Sequence, residues 1–350
     1  MSFITFNNVE IKGLSAVVPK RIINNRDFTG LYSNKEIENI IKTTGISERR
    51  FADAEVCSSD LCYLAAEKLL DEMNIDRDSI DLLIFLSQTP DYHLPATAPL
   101  LQNRLNLSKN CGAFDINLAC SGYVYGLSTA FAYASQKGIN NVLLLVGETL
   151  SKITSEHDKA TCLLFGDGGT ATLIGKSENA LPSYFSLNSD GSGSDVMKIS
   201  GGGYRNKSSV ETLKLKEHKD GSICSDEHLF MDGMEVFNFT MREVPKDIKN
   251  IIKFSKKRLD QIDYIIFHQA NKFMTDFFAK KLKYPLNKVP YSLHKFGNTS
   301  SVSIPLTMVS EMRDSLQNQQ VILSGYGAGL SWATAIIETG DIYISELGEM

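Results

Sequence analysis

Ile80-Asp81-Leu82-Leu83-Ile84-Phe85 and Ile262-Asp263-Tyr264-Ile265-Ile266-Phe267 are near copies of one another, one in each half of a 350-residue chain. A second pair follows in the same order, Asn141-Val142-Leu143-Leu144 and Gln320-Val321-Ile322-Leu323. A third closes the series, Ala171-Thr172-Leu173-Ile174 and Ala333-Thr334-Ala335-Ile336, each reached through a glycine turn. Buried strands share a vocabulary, so any single pair carries little weight. Three in one order point to a duplicated unit. Short apolar runs alternate with helix-patterned stretches throughout, the pattern of an α/β protein. The division this implies is an N-terminal half over residues 1–180, a connecting region over 181–228 and a C-terminal half over 229–350. The polar stretch from Gly201 to His228, rich in Gly, Ser and Lys, marks the connection.

Composition narrows the function classes. With 43% hydrophobic and 22% charged residues the chain reads as an ordinary soluble globular protein. A net charge of -5 argues against an extended nucleic-acid surface. The opening MSFITFNNVEIKG lacks the basic start and apolar run of a secretion signal. No apolar stretch approaches the roughly 18–20 residues that span a bilayer. The six cysteines form no dense disulfide framework and no CxxC pair. A cytoplasmic, reduced protein without a metal site is expected.

Phe114-Asp115-Ile116-Asn117-Leu118-Ala119 has the look of a buried strand. After Cys120-Ser121-Gly122 a helical period begins, with Val124, Leu127, Phe131 and Ala134 on one face and Gly138 as its stop. Cys120 therefore sits at a strand-to-helix turn, where a helix N-terminus favours the thiolate. A buried structural cysteine is the plain alternative for this residue type. The small neighbours Ala119, Ser121 and Gly122 argue against it, because they leave room beside the sulfur for a substrate.

In the second half His268 ends the strand Tyr264–Phe267 and opens His268-Gln269-Ala270-Asn271. The carboxyl end of a buried strand is where open α/β sheets keep their sites. By itself the residue is equally well a structural histidine. Asn298 lies in Gly297-Asn298-Thr299-Ser300-Ser301, whose plain reading is a turn followed by a helix cap. Gly325-Tyr326-Gly327-Ala328-Gly329 follows a strand, but another strand comes next rather than the helix a dinucleotide site requires. A glycine turn that brings backbone N–H groups near a reacting carbonyl fits better. Phe165-Gly166-Asp167-Gly168-Gly169 is the matching turn of the first half and reads as structural.

Gly-Ile-Ser-Glu-Arg-Arg at Gly45–Arg50, FDINLACSG around Cys120, FGDGG at Phe165, HQAN at His268, GNTSSVSIP at Gly297 and GYGAG at Gly325 stand in that order. Together they resemble the β-ketoacyl-acyl-carrier-protein synthase III family of condensing enzymes, over most of the chain. The resemblance implies a thiolase-like α/β fold, two duplicated halves forming a five-layered α-β-α-β-α core. It implies that Cys120 takes an acyl group from a thioester, with the Cys120 and Ala328 amides holding the oxyanion. His268 and Asn298 then stabilise the enolate left when a malonyl group on an acyl-carrier protein loses carbon dioxide. No cofactor beyond the acyl-CoA or acyl-carrier thioesters is implied. Pocket residues by resemblance are Leu94, Phe165, Met231, Phe237 and Tyr326, with Leu94 on a loop reaching the other subunit of a homodimer. Lys159, Lys272, Lys280 and Lys281 are the expected cations for the carrier or coenzyme.

Three departures stand out. An aromatic and an arginine that clasp the coenzyme's adenine in many members are replaced by Asn39 and Thr43. Phe273 occupies a position where an arginine helps to dock the carrier, and Lys159 stands where an arginine is frequent. A non-decarboxylating acyltransferase, moving the acyl group to a hydroxyl or amine, is the alternative; Asn298 counts against it. A non-catalytic pocket subunit would have no use for Cys120, His268 and Asn298 together.

Overall fold

Asp81 and Asp263, second residues of the two repeated stretches, do the same work in different places. Each N–H donates to the carbonyl of the residue opening the next parallel strand, Asn141 at 3.0 Å and Gln320 at 2.8 Å. Each carboxylate accepts that residue's own N–H, at 3.2 and 2.9 Å. The computed structural model, which describes residues 2–28 and 30–350, extends this likeness through both halves. Leu82–Leu86 lies parallel to Asn141–Thr149, which is antiparallel to Asp167–Lys176. Tyr264–Phe267 lies parallel to Gln320–Gly327, which is antiparallel to Ser331–Glu338. Leu82 faces Val142 just as Tyr264 faces Val321.

The third correspondence is displaced by one residue. Val142 faces Ile174, and its counterpart Val321 faces Ile337, so Ile174 is equivalent to Ile337 and not to Ile336. A one-residue slip moves a side chain to the opposite face of a sheet. Adjacent isoleucines at 336 and 337 hid the slip.

The first sheet has seven strands in the order Tyr343–Ile344, Val9–Val18, Asp167–Lys176, Asn141–Thr149, Leu82–Leu86, Gly112–Ile116, with Gly348–Glu349 also on Val9–Val18. The second has five: Ser2–Phe6, Ser183–Ser189, Ser331–Glu338, Gln320–Gly327, Tyr264–Phe267. The first strand of the chain thus belongs to the second sheet and its last strands to the first. Ser183–Ser189, within the stretch read as a connection, is a strand of the second sheet. Between the sheets lie the helices Gly122–Ala134 and Ser303–Met312, whose Val124, Leu127, Ile304 and Met308 share one buried core with both sheets. Ser58–Glu72 and Thr97–Arg104 cover the outer face of the first sheet, around Leu61, Leu69 and Leu101. Gly233–Ser255 and Lys272–Leu282 cover that of the second, around Ile248, Phe267 and Phe278. The result is five layers, α-β-α-β-α. Among the described residues no helix is long and apolar enough to cross a membrane.

Candidate active site

Cys120 lies two residues before the helix Gly122–Ala134 and is 5% exposed. The strand leading to it differs from expectation. It ends at Ile116, forms the edge of the first sheet and is half-buried, because only Leu82–Leu86 pairs with it. The two inner helices begin beside this point: Gly122 faces Leu86, and a Cβ there would also meet Ser301 at 3.4 Å. Gly327, the last residue of its strand, approaches from the second sheet. A Cβ on it would stand 2.8 Å from Cys120 Cβ and 3.1 Å from Sγ, so only glycine fits against the sulfur. The following turn is tied down. Ser331 Oγ–H donates to the Ala328 carbonyl at 2.8 Å, which leaves Ser121 Oγ–H to donate to Ser331 Oγ at 2.7 Å.

The sulfur is not a resting thiolate. Burial pushes the Cys120 thiol up to about 12; Ser300 Oγ, 3.4 Å from Sγ, offsets part of this, and the Glu148 carboxyl adds to it. None of these groups is a cation. Ser300 takes a positive φ of 51° in the turn after Asn298 and donates to Gln88 Oε1 at 2.9 Å. Gln88 N–H donates in turn to Glu148 Oε2 at 3.1 Å, and Ser301 Oγ–H to Oε1 at 2.8 Å. Glu148 is fully buried, which raises its carboxyl to about 8.

His268 extends the parallel ladder by one bond, its N–H donating to the Ser324 carbonyl at 2.8 Å. Its Nδ1 lies 2.8 Å from Ser303 Oγ, and Tyr326 packs edge-on against the ring while its hydroxyl donates to the His268 carbonyl at 3.1 Å. Burial drives the imidazole down to about 3, against a smaller opposing pull from the Ser300 carbonyl, so the ring is neutral at physiological pH. The rest of HQAN also holds the framework together, and its Ala270 and Asn271 border the same cavity as His268. Gln269 ties Phe267 to Ser292, and Asn271 Oδ1 caps the helix Lys272–Leu282 by accepting the Met274 N–H at 2.8 Å. Asn298 is held by its backbone to the first half, its N–H on the Leu164 carbonyl and its carbonyl accepting the Gly166 N–H. Its Oδ1 accepts the Ser300 N–H at 2.9 Å, which leaves the side-chain NH2 free for another acceptor.

Cys120, His268 and Asn298, drawn from both halves, wall a single cavity of about 330 Å3. Met231, Phe237 and Tyr326 line it, and so does Lys159, expected as a cation for the carrier or coenzyme. Phe165 does not. It packs into a small core with Leu150 and Leu229, and its backbone bridges to Asn298, so it supports the wall from behind. Leu94 is 85% exposed, on a surface loop away from this chain's cavity. Lys280 is exposed, whereas Lys281 Nζ donates to the Met241 carbonyl at 2.8 Å and Lys272 pairs with Asp276 at 2.7 Å. Lys159 Nζ is held by the Asp220 carbonyl at 2.8 Å. Sequence reading missed Ser300, Gln88 and Glu148. A carboxylate ending the otherwise apolar run NVLLLVGE was the available sign for the last.

Comparison with known proteins agrees with this geometry. The profile of 3-oxoacyl-[acyl-carrier-protein] synthase III matches residues 114–191, and that of its C-terminal part matches 252–339. A putative 3-oxoacyl-[acyl-carrier-protein] synthase 3 of Campylobacter jejuni is 35% identical, over 98% of this chain and 97% of its own. A β-ketoacyl-[acyl-carrier-protein] synthase III of Clostridium tetani is 37% identical, over 95% and 99%. The crystal structure of a 3-oxoacyl-(acyl-carrier protein) synthase from Burkholderia xenovorans LB400 superimposes with a TM-score of 0.94 at 38% identity, over 100% of this chain and 99% of that one. Two duplicated halves meeting at a cysteine, a histidine and an asparagine, with relatives aligned almost end to end, lead to one conclusion: the chain belongs to the 3-oxoacyl-[acyl-carrier-protein] synthase III family of thiolase-fold condensing enzymes.

Proposed function

We propose that the protein joins an acyl group to a malonyl group on an acyl-carrier protein, in fatty-acid or related acyl-chain synthesis. In the first step the Cys120 sulfur attacks the donor thioester carbonyl. The Cys120 and Ala328 N–H groups hold the oxyanion, the donor thiol departs with the sulfur's proton, and Cys120–S–CO–R remains. In the second, the malonyl carboxylate leaves as carbon dioxide. The enolate oxygen accepts hydrogen bonds from His268 Nε2–H and the Asn298 amide, and the carbanion attacks the acyl carbon. One proton returns to Cys120, and a 3-oxoacyl-carrier is released. Neither step changes the net oxidation level, so the chemistry calls for no redox cofactor.

The observation that carries this reading is Asn298. Its Oδ1 is occupied by Ser300, so the side chain presents donors, not an acceptor, to the cavity it shares with Cys120. Acyl transfer to a hydroxyl or amine has no use for such a donor pair. We also assign Lys159, Lys272, Lys280 and Lys281 to the carrier or coenzyme, and a homodimer in which Leu94 enters the partner's cavity. The exposed Leu94 and the half-buried edge strand Gly112–Ile116 support that assembly. All six cysteines are free, which fits a cytoplasmic protein. The test is Asn298→Ala with malonyl-carrier. Release of carbon dioxide should fall by about 10²–10³ while Cys120 still acquires the acyl group. Normal release would refute the decarboxylative reading.

A further inference from the structure

The proposed condensation requires a hydrogen on His268 Nε2, the ring nitrogen left for the cavity once Nδ1 is engaged. A neutral imidazole carries one hydrogen, and the bond made by one nitrogen decides the state of the other. His268 is neutral and almost fully enclosed, so its tautomer is fixed by the protein. The side-chain contact of Nδ1 is Ser303 Oγ at 2.8 Å, and the Ser300 carbonyl exerts a weaker pull on the ring. Ser303 opens the inner helix Ser303–Met312 and is itself 1% exposed.

The single hydroxyl hydrogen of Ser303 has two acceptors within reach, His268 Nδ1 and the Ser300 carbonyl at 2.7 Å. Directed at the carbonyl, it obliges Nδ1 to carry the ring hydrogen and leaves a bare lone pair at Nε2. Directed at Nδ1, it places the ring hydrogen on Nε2. Neither arrangement strands a polar group, so the reaction's need for a hydrogen on Nε2 selects the second. Ser303 N–H already donates to the Ser300 carbonyl, and Ser303 Oγ still accepts from the Gln269 N–H at 3.3 Å. We infer that Ser303 is a positioning residue whose hydroxyl donates to His268 Nδ1 and so holds the hydrogen on Nε2, where the enolate oxygen forms. This assignment rests on the condensing reaction proposed above and adds to it the residue that prepares the histidine.

The test is the ¹⁵N NMR spectrum of the full chain labelled at histidine, with His268→Ala identifying the ring signals. At neutral pH the wild-type Nε2 should appear as a protonated, pyrrole-type nitrogen. Ser303→Ala should shift the ring toward the Nδ1–H tautomer, and Ser303→Thr, which keeps the hydroxyl, should restore it. Carbon dioxide released from malonyl-carrier, per acyl group loaded, should fall about tenfold or more in Ser303→Ala and recover in Ser303→Thr. A pyridine-type Nε2 in the wild type, or an alanine variant with unaltered tautomer and release, would overturn the inference. The wild-type spectrum decides the tautomer even if a variant does not fold. A wild-type protein that releases no carbon dioxide would refute the condensing reading, while the spectrum would still decide the role of Ser303.

Discussion

A sulfur whose thiol is raised to about 12 and an imidazole lowered to about 3 are both uncharged in the resting site, for one reason: each is taken out of water without a counter-ion. The thiolate fraction then rises with pH across the whole working range. Alkylation of Cys120 by iodoacetamide, followed by peptide mass mapping, should accelerate without levelling from about pH 6 to about pH 9. A plateau below about pH 8 would mean that the helix N-terminus holds a thiolate after all. Glu148 makes a separate prediction. Its folded-state value of about 8 lies above the ordinary carboxylate value, so its contribution to stability is full at acid pH and is lost as pH rises through about 8. Glu148→Gln removes that loss. In urea unfolding, the variant should gain on the wild type between about pH 5 and about pH 8, by at most about 3 kcal/mol, and parallel pH profiles would contradict the assignment. At this scale the sequence displayed Cys120, His268 and Asn298, because each sits in a motif with small or turn-forming neighbours. It hid Ser300 and Glu148, whose importance comes from contacts between segments far apart in the chain.

Between the elements, the site depends on how closely the second sheet approaches the cysteine loop. Gly327→Ala would drive a methyl group to 2.8 Å from Cys120 Cβ, and either the sulfur or the hairpin must move. Misplacement by about 1 Å costs on the order of 10² in rate. The variant should therefore load acyl groups about 10²-fold more slowly while its circular dichroism and unfolding midpoint change little; normal loading would show that the loop adapts. The helix after Cys120 was legible from its apolar spacing, and the glycine turn from its lack of a following helix. The edge position of Gly112–Ile116 was not, since an apolar run reads alike at the centre and the margin of a sheet. The register of Ser331–Glu338 was equally hidden, because paired isoleucines satisfy both faces.

For the molecule as a whole, duplication places Cys120 in one half and His268 and Asn298 in the other, so the site exists only where the halves meet. Three repeated strand pairs made that architecture readable from the sequence. The exchange of terminal strands between the sheets left no local trace. Asn39 and Thr43 share a depression with Lys42, Lys272 and Phe273, and Phe273 stacks on Phe237 with ring centres 6.0 Å apart. An aromatic and an arginine over adenine would contribute about 0.5–2 kcal/mol, and losing about 1.4 kcal/mol weakens affinity tenfold. A carrier protein presents the same phosphopantetheine arm without adenine. It should therefore load Cys120 faster than the matching acyl-CoA, and preference for the coenzyme at both low and high salt would contradict this. The most direct test of the central claim is the intact mass of the protein after exposure to an acyl thioester and then to malonyl-carrier. The wild type should gain one acyl mass and lose it on the second addition with release of one carbon dioxide, and Cys120→Ala should gain none. An acyl mass on the alanine variant, or an acyl-enzyme that malonyl-carrier leaves intact, would contradict the account.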